Sequence, residues 1–204
     1  LLNPNWIATN GDGGFVKSNG TDWTTSPYYT ATATGNNLRY TNGRLLCIDN
    51  LSKNYSDDKG ATWSATTITS GTIPDSSVPS TSVHGNDFWV REAPLKGDGT
   101  SLSPVASLGV FTPPAFGVGF GVCGYGGGYV FTSTDNFATS SNIDTPLTDD
   151  VTVAVSNGSR VLLGQENSGK VCYTDNGSAF SSTYTLSGGN GNLSGSAAEG
   201  DVFV

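Results

Sequence analysis

Methionine is absent from the 204 residues, glutamine occurs once, and glutamate and lysine together number eight. These are the residues that sustain helices, so neither a helical bundle nor a Rossmann-type enzyme is expected. Charge is sparse as well: five lysines and four arginines stand against seventeen acids, for a net charge of −8. A nucleic-acid binder needs clustered cations to displace condensed counterions, and no basic stripe exists here. The same deficit argues against an anionic membrane surface as partner. No apolar run approaches the length of a membrane-spanning helix, so membrane insertion is not expected. The one histidine, His84, lies in a His-Gly-Asn turn and gives neither a Ser–His–Asp triad nor a histidine metal site a basis. No metal-binding loop is recognisable, and no cofactor is expected.

Cysteine is too rare, and odd in number, for a disulfide framework. Cys47, Cys123 and Cys172 each fall inside an apolar, strand-like run and read as small buried hydrophobes. Folding in a reducing compartment follows. Gly119-Phe120-Gly121-Val122-Cys123-Gly124 matches G-x-G-x-x-G, yet a strand follows at Tyr129 to Thr132 where a nucleotide site needs a helix. It reads as crowded strand.

Glycine, serine, threonine and asparagine make up 95 of the 204 residues, a composition that fills strands and turns. Within it one element recurs. Ser56-Asp57-Asp58-Lys59-Gly60-Ala61-Thr62-Trp63 reads S-x-D-x-G-x-T-W. Tyr173 to Phe180 aligns with it through Asp175, Gly177 and Phe180. Ser133 to Ser140 keeps Ser133, Asp135 and Thr139, while Val16 to Trp23 and Leu95 to Leu102 are more worn. The final positions Trp23, Trp63, Leu102, Ser140 and Phe180 are 40, 39, 38 and 40 residues apart. Periods of about 40 to 45 residues with four strands each mark propeller blades.

The expected fold is therefore all-β: a five-bladed β-propeller of four-stranded antiparallel blades, closed by pairing of the chain termini. It is a single domain, with units at about 1–35, 36–75, 76–113, 114–148 and 149–193, and with 194–204 closing the first blade. In the second unit the strands are read as Leu38 to Thr41, Arg44 to Asp49, Lys53 to Ser56 and Thr62 to Thr69. In the last unit Val151 to Ser156 alternates apolar and polar, Asn157-Gly158 is a tight hairpin, and Arg160 to Gln165, Lys170 to Thr174 and Phe180 to Leu186 follow.

The S-x-D-x-G-x-T-W turn resembles the Asp-box, or bacterial neuraminidase repeat, of sialidase-type propellers and their many non-enzymatic relatives. That resemblance implies a turn between third and fourth strands, on the face away from the ligand. Ser56, Asp58, Gly60, Thr62, Trp63, Ser133, Asp135, Asp175, Gly177 and Phe180 are accordingly expected to be structural, and no residue is assigned a catalytic role. Sialidases of this kind use six blades, an arginine triad and a Tyr–Glu pair. Here there are five units and only Arg39, Arg44, Arg91 and Arg160, with Arg44 and Arg160 repeated just after Asn-Gly turns. A five-bladed glycoside hydrolase is the enzymatic alternative, with Asp75, Asp149, Asp150 and Asp201 near first strands as its carboxylates.

The leading expectation is a non-enzymatic recognition or display module. Tyr28, Tyr29, Trp89, Arg91 and Glu92 combine aromatics with a charge pair on loops of the expected ligand face, as a glycan site requires. The Ser/Thr/Gly/Asn-rich, acidic composition is also similar to phage tail and capsid-appendage proteins. The expected partner is thus a surface glycan or a particle protein in a larger assembly, on a virion or cell surface after cytoplasmic folding. A purely structural scaffold ring is the other alternative.

Overall fold

In the computed structural model the described residues are 6–9, 15–18, 23–26, 37–48, 53–58, 60, 62–70, 81–91, 95–105, 112–187, 198–199 and 202–203. The chain divides into two compact units, Leu1–Pro104 and Val105–Val204.

Among the described residues the first unit holds three sheets. β1 (Trp6–Thr9), β2 (Phe15–Ser18) and β3 (Trp23–Ser26) form an antiparallel meander. β4 (Asn37–Thr41), β5 (Arg44–Ile48), β6 (Lys53–Ser56) and β7 (Ser64–Ala65) form the second sheet, turned at Asn42-Gly43. The residues read as one outer strand, Thr62 to Thr69, split at Thr66. The stretch beyond it, β8 (Thr67–Ile68), leaves the second sheet and pairs in parallel with β12 (Ser101–Pro104) of the third. Thr66 marks the switch: it is buried, and its Oγ1 donates to the Gly99 carbonyl at 2.8 Å. The rest of the third sheet is β9 (Thr81–His84), β10 (Asp87–Val90) and β11 (Leu95–Gly97).

The second strands explain the core. Leu45, Leu46, Cys47 and Ile48 of β5 are all buried, as are Phe88, Trp89 and Val90 of β10. A strand flanked by two others and covered on both faces reads as a continuous apolar run instead of an alternating one. Leu46, Ile48, Phe88, Val90, Leu95 and Leu102 form the main cluster.

The second unit repeats the plan. β13 (Ala115–Gly117), β14 (Phe120–Gly124), β15 (Tyr129–Ser133) and β16 (Ser141–Asp144) form one antiparallel sheet. β17 (Val151–Ser156), β18 (Val161–Gln165), β19 (Lys170–Thr174) and β20 (Tyr184–Thr185) form another. Of the G-x-G-x-x-G segment, Gly119 is an exposed turn residue and Phe120–Gly124 is strand β14, buried throughout. A Cβ on Gly124 would collide with the Val151 carbonyl, so only glycine lets the two backbones meet.

Two expectations shift here. β17 and β18 pair across Ser156 and Val161, so the Asn157-Gly158 connection is four residues long and not a tight hairpin. Asn157 Oδ1 organises it, accepting from the amides of Ser159 and Arg160. The outer strand of this sheet is also shorter than Phe180 to Leu186, reduced to a bridge at Phe180 and the two residues of β20. At the C-terminus β21 (Ala198–Glu199) and β22 (Val202–Phe203) pair with each other as an antiparallel hairpin. All three cysteines are buried and outside any disulfide. Burial pushes the Cys172 thiol up to about 12, which keeps it protonated and inert at neutral pH.

Leu46→Ala is expected to cost about 2–5 kcal/mol in chemical denaturation, since Leu46 is 1% exposed and its removal leaves a cavity. Tyr40→Ala on the neighbouring strand, where the ring is 57% exposed, should change stability by less than about 0.5 kcal/mol.

Candidate functional site

The turns between third and fourth strands are built from hydroxyls and carboxylates. Ser56, the last residue of β6, donates from Oγ to Asp58 Oδ1 at 2.8 Å and accepts from the buried Gly60 amide at 2.8 Å. Asp58 in turn accepts from the Thr62 amide at 2.8 Å and the Thr62 hydroxyl at 2.6 Å. Trp63 closes the loop, donating from Nε1 to the Gly60 carbonyl at 3.2 Å.

Ser133 and Asp135 repeat this: Ser133 Oγ donates to Asp135 at 2.7 Å, and Asp135 accepts from the Thr139 amide and hydroxyl at 2.9 and 2.7 Å. The glycine position is filled by Phe137, whose backbone is left-handed at φ 59 as Gly60 is at φ 85. A non-glycine residue there carries steric strain. Phe137 sits there with its ring buried edge-on to Phe116, while its amide still donates to Ser133 Oγ at 2.8 Å. The aromatic that the sequence lacks at Ser140 thus comes from inside the turn. Asp135 is held down at about 2, chiefly by the Thr139 amide and hydroxyl and then by Ser133.

The third copy shifts by one residue from the alignment on Asp175. Thr174 takes the place of Ser56, accepting from the Gly177 amide at 2.9 Å. Asn176 takes the place of Asp58, accepting from the amides of Ser178 and Ala179 at 2.9 Å each. Asp175 instead corresponds to Asp57 and makes an ion pair. The Leu95 to Leu102 copy carries a reduced version, in which Asp98 Oδ1 accepts from the Thr100 amide at 2.9 Å and from its hydroxyl at 2.7 Å.

Two of these turns are braced by arginine. Arg44 grips Asp57 with Nε and Nη2 at 2.6 and 2.9 Å, reaches the Asp98 carbonyl with Nη1 at 2.9 Å, and lies 4.9 Å over the Tyr55 ring. Arg160 grips Asp175 at 2.6 and 2.9 Å and lies 3.8 Å over Tyr173. Tyrosine, hydroxyl residue and aspartate are consecutive in both, so one spacing in sequence makes one constellation in space. The hydrogen bond from each arginine holds Asp57 and Asp175 below the ordinary carboxylate range. Asp98 is held below it mainly by the Thr100 hydroxyl. Exposed ion pairs add little to stability, so the arginines serve to orient the turn.

Of the predicted ligand residues the structure describes Trp89 and Arg91. Trp89 is 1% exposed in the middle of β10, with Lys96 Nζ 5.3 Å from its ring centroid. A buried indole offers no face to a sugar, and the apolar run Phe88-Trp89-Val90 in a central strand was the signal for it. Arg91 follows β10 and is half-buried. Tyr28, Tyr29 and Glu92 lie outside the described residues, as do Asp75 and Asp201.

A different group comes together at the opposite end of the second unit's sheets from the Ser133 and Thr174 turns. The 3-10 turn Gly126–Gly128 joins β14 to β15, and the Gly127 amide donates to Asp150 Oδ1 at 3.0 Å. A Cβ on Gly127 would lie 3.7 Å from the Tyr129 ring, so ring and carboxylate flank one glycine. The Tyr129 side is open, at 39% exposure. The Asp150 carbonyl also accepts from the Glu166 amide at 2.8 Å, and Tyr125 O accepts from the Val151 amide at 3.0 Å. The segment is therefore tied to both sheets. Among the described residues no group of three or more histidine, cysteine or acidic side chains is placed to hold a metal.

No protein-family model matches the chain, and no curated protein matches it in sequence. Solved structures match it in fold. "YCF48 bound to D1 peptide" is 12% identical with a TM-score of 0.65, over 96% of this chain and 67% of that one. Virginiamycin B lyase from Staphylococcus aureus is 13% identical with a TM-score of 0.63, over 92% and 72%. The GH74 enzyme of Niastella koreensis is 16% identical with a TM-score of 0.54, over 87% of this chain but 31% of its own. All three are β-propellers, and with its four-stranded antiparallel sheets this chain has the β-propeller fold.

Ser56→Ala strips the buried Gly60 amide of its acceptor and is expected to cost about 1–3 kcal/mol by denaturation. A carboxylate depressed by native contacts stabilises the fold above its unfolded pKa and loses that contribution as pH falls through its folded value. Thermal stability should therefore drop between pH 3.8 and about 2 on account of Asp135. Asp135→Asn should reduce that drop, read as melting temperature against pH.

Proposed function

We infer that this chain is a non-enzymatic recognition module. In this reading it is a five-bladed Asp-box ring closed at its termini, displayed on a virion appendage or cell surface, where it binds host-surface glycans. The observation that carries the reading is the pairing of Tyr129 and Asp150 across Gly127. Sugars are held by an open aromatic face beside fixed hydrogen-bonding groups, and a carboxylate pinned through one oxygen can still accept from sugar hydroxyls through the other. Tyr129 and Asp150 stand in this role where Trp89 cannot.

Four turn acids are unsuited to the role of general acid in glycoside hydrolysis. A glycosidase needs a general acid whose pKa is raised. Asp57, Asp98, Asp135 and Asp175 are all held in the opposite direction by turn amides, hydroxyls and arginines. The peptide-bound state of one similar propeller favours a second reading, in which the partner is a protein segment instead of a glycan.

Glycan-array binding by the purified chain, with reducing-sugar release measured on the same hits, separates these readings. Binding without release, weakened at least about tenfold by Tyr129→Ala, is expected. Release of reducing sugar would make the chain a glycoside hydrolase. No glycan bound would leave the protein-partner reading.

A further inference from the structure

Arg39 lies within β4, and its guanidinium is turned into the packing between β4 and β9. Nε donates to the Thr81 carbonyl at 2.9 Å and Nη1 to the Leu38 carbonyl at 3.0 Å. Both acceptors are neutral. The other two arginines with bidentate grips each meet an aspartate, but among the described residues no carboxylate faces Arg39. A guanidinium has five N–H donors, and two are used here. The remaining three, on a half-buried cation, are the kind of charge that a protein interior keeps only with a counter-charge or at a cost. Burial alone lowers the pKa of this arginine, a direct expression of that cost.

A second unmet group adjoins the first. Thr81 is 3% exposed, and its Oγ1 is buried without a hydrogen-bond partner. Native interiors leave few polar atoms in that state, and each asks for a reason. This one belongs to the residue whose carbonyl already receives Arg39. The carbonyl that receives Arg39 and the unpartnered hydroxyl thus belong to one residue at the start of β9, and both strands are locked by ladder pairing: Arg39 opposite Leu46, and Thr81 opposite Val90.

We propose that Arg39 and Thr81 form an oxyanion-binding subsite, which takes one carboxylate or phosphate group of a ligand between the free Nη2 edge and the Thr81 hydroxyl. Such an anion supplies the missing counter-charge and an acceptor for the hydroxyl in one step. The chain's own charge of −8 repels extended polyanions at long range, so the ligand class is one with a single anionic group. This site lies in the first unit and does not depend on the glycan reading of Tyr129 and Asp150.

The test uses the full chain with sodium acetate and inorganic phosphate as probes, against chloride at equal ionic strength. Binding is followed through the Arg39 Nε–Hε resonance and the melting temperature. A saturable shift with acetate or phosphate but not chloride is expected, and whichever binds more tightly assigns the group as carboxylate or phosphate. Arg39→Gln and Thr81→Val should each weaken it by about tenfold or more. Thr81→Val is close to isosteric and removes only an oxygen without a partner, so the melting temperature without anion should not fall. Should Arg39→Gln fail to fold, Arg39→Lys takes its place, keeping the charge while losing the fork, again with weaker binding expected. No saturable response beyond chloride, or unchanged affinity in the arginine variant or in Thr81→Val, overturns the proposal.

Discussion

A single buried amide in three of the third-to-fourth turns governs how their sheets end. In the Ser56, Ser133 and Thr174 turns the chain must reverse with a left-handed residue whose N–H points inward: Gly60, Phe137 and Gly177. Water does not reach that donor, and a side-chain hydroxyl at the end of the third strand takes it. The hydroxyl is aimed in turn by Asp58, Asp135 or Asn176. Fixing the turn fixes where the fourth strand begins, and with it the outer edge of each sheet. The arginine braces are secondary to this, since Arg44 and Arg160 grip the residue just after the hydroxyl.

The same economy decides what the acids of the chain are for. Carboxylates committed to turn amides are ionised and held in place, which suits architecture and removes them from proton transfer. In the proposed reading, binding chemistry falls to the other end of the sheets. There Gly127 joins an open tyrosine ring to an anchored carboxylate. In the first unit the charge logic inverts, and Arg39 is a cation with carbonyls where its counterparts have aspartates.

What the sequence made legible follows from local chemistry. The strands Val151 to Ser156, Lys53 to Ser56 and Lys170 to Thr174 could be read residue for residue, because alternation and flanking turn residues are properties of short windows. The serine–aspartate turn was legible for the same reason. Position within a degenerate turn was not: an aspartate at 175 outweighed the neighbouring asparagine, although the hydroxyl of Thr174 sets the true register. Trp89 was taken for an exposed platform because a ring's burial depends on which sheets cover it. The Arg39–Thr81 contact spans 42 residues and uses a backbone carbonyl, so no side-chain pattern announces it.

Hydrogen exchange at individual amides tests the dependence on these turns most directly. If hydroxyls hold the turns, the amides of Gly60, Phe137 and Gly177 exchange as slowly as those of the central strands β5, β14 and β18. Loss of that protection at Gly60 alone is expected in Ser56→Ala. Exchange of all three amides at the rate of open surface loops in the unmutated protein would contradict the dependence, and would leave the sheets to be held by their apolar second strands alone.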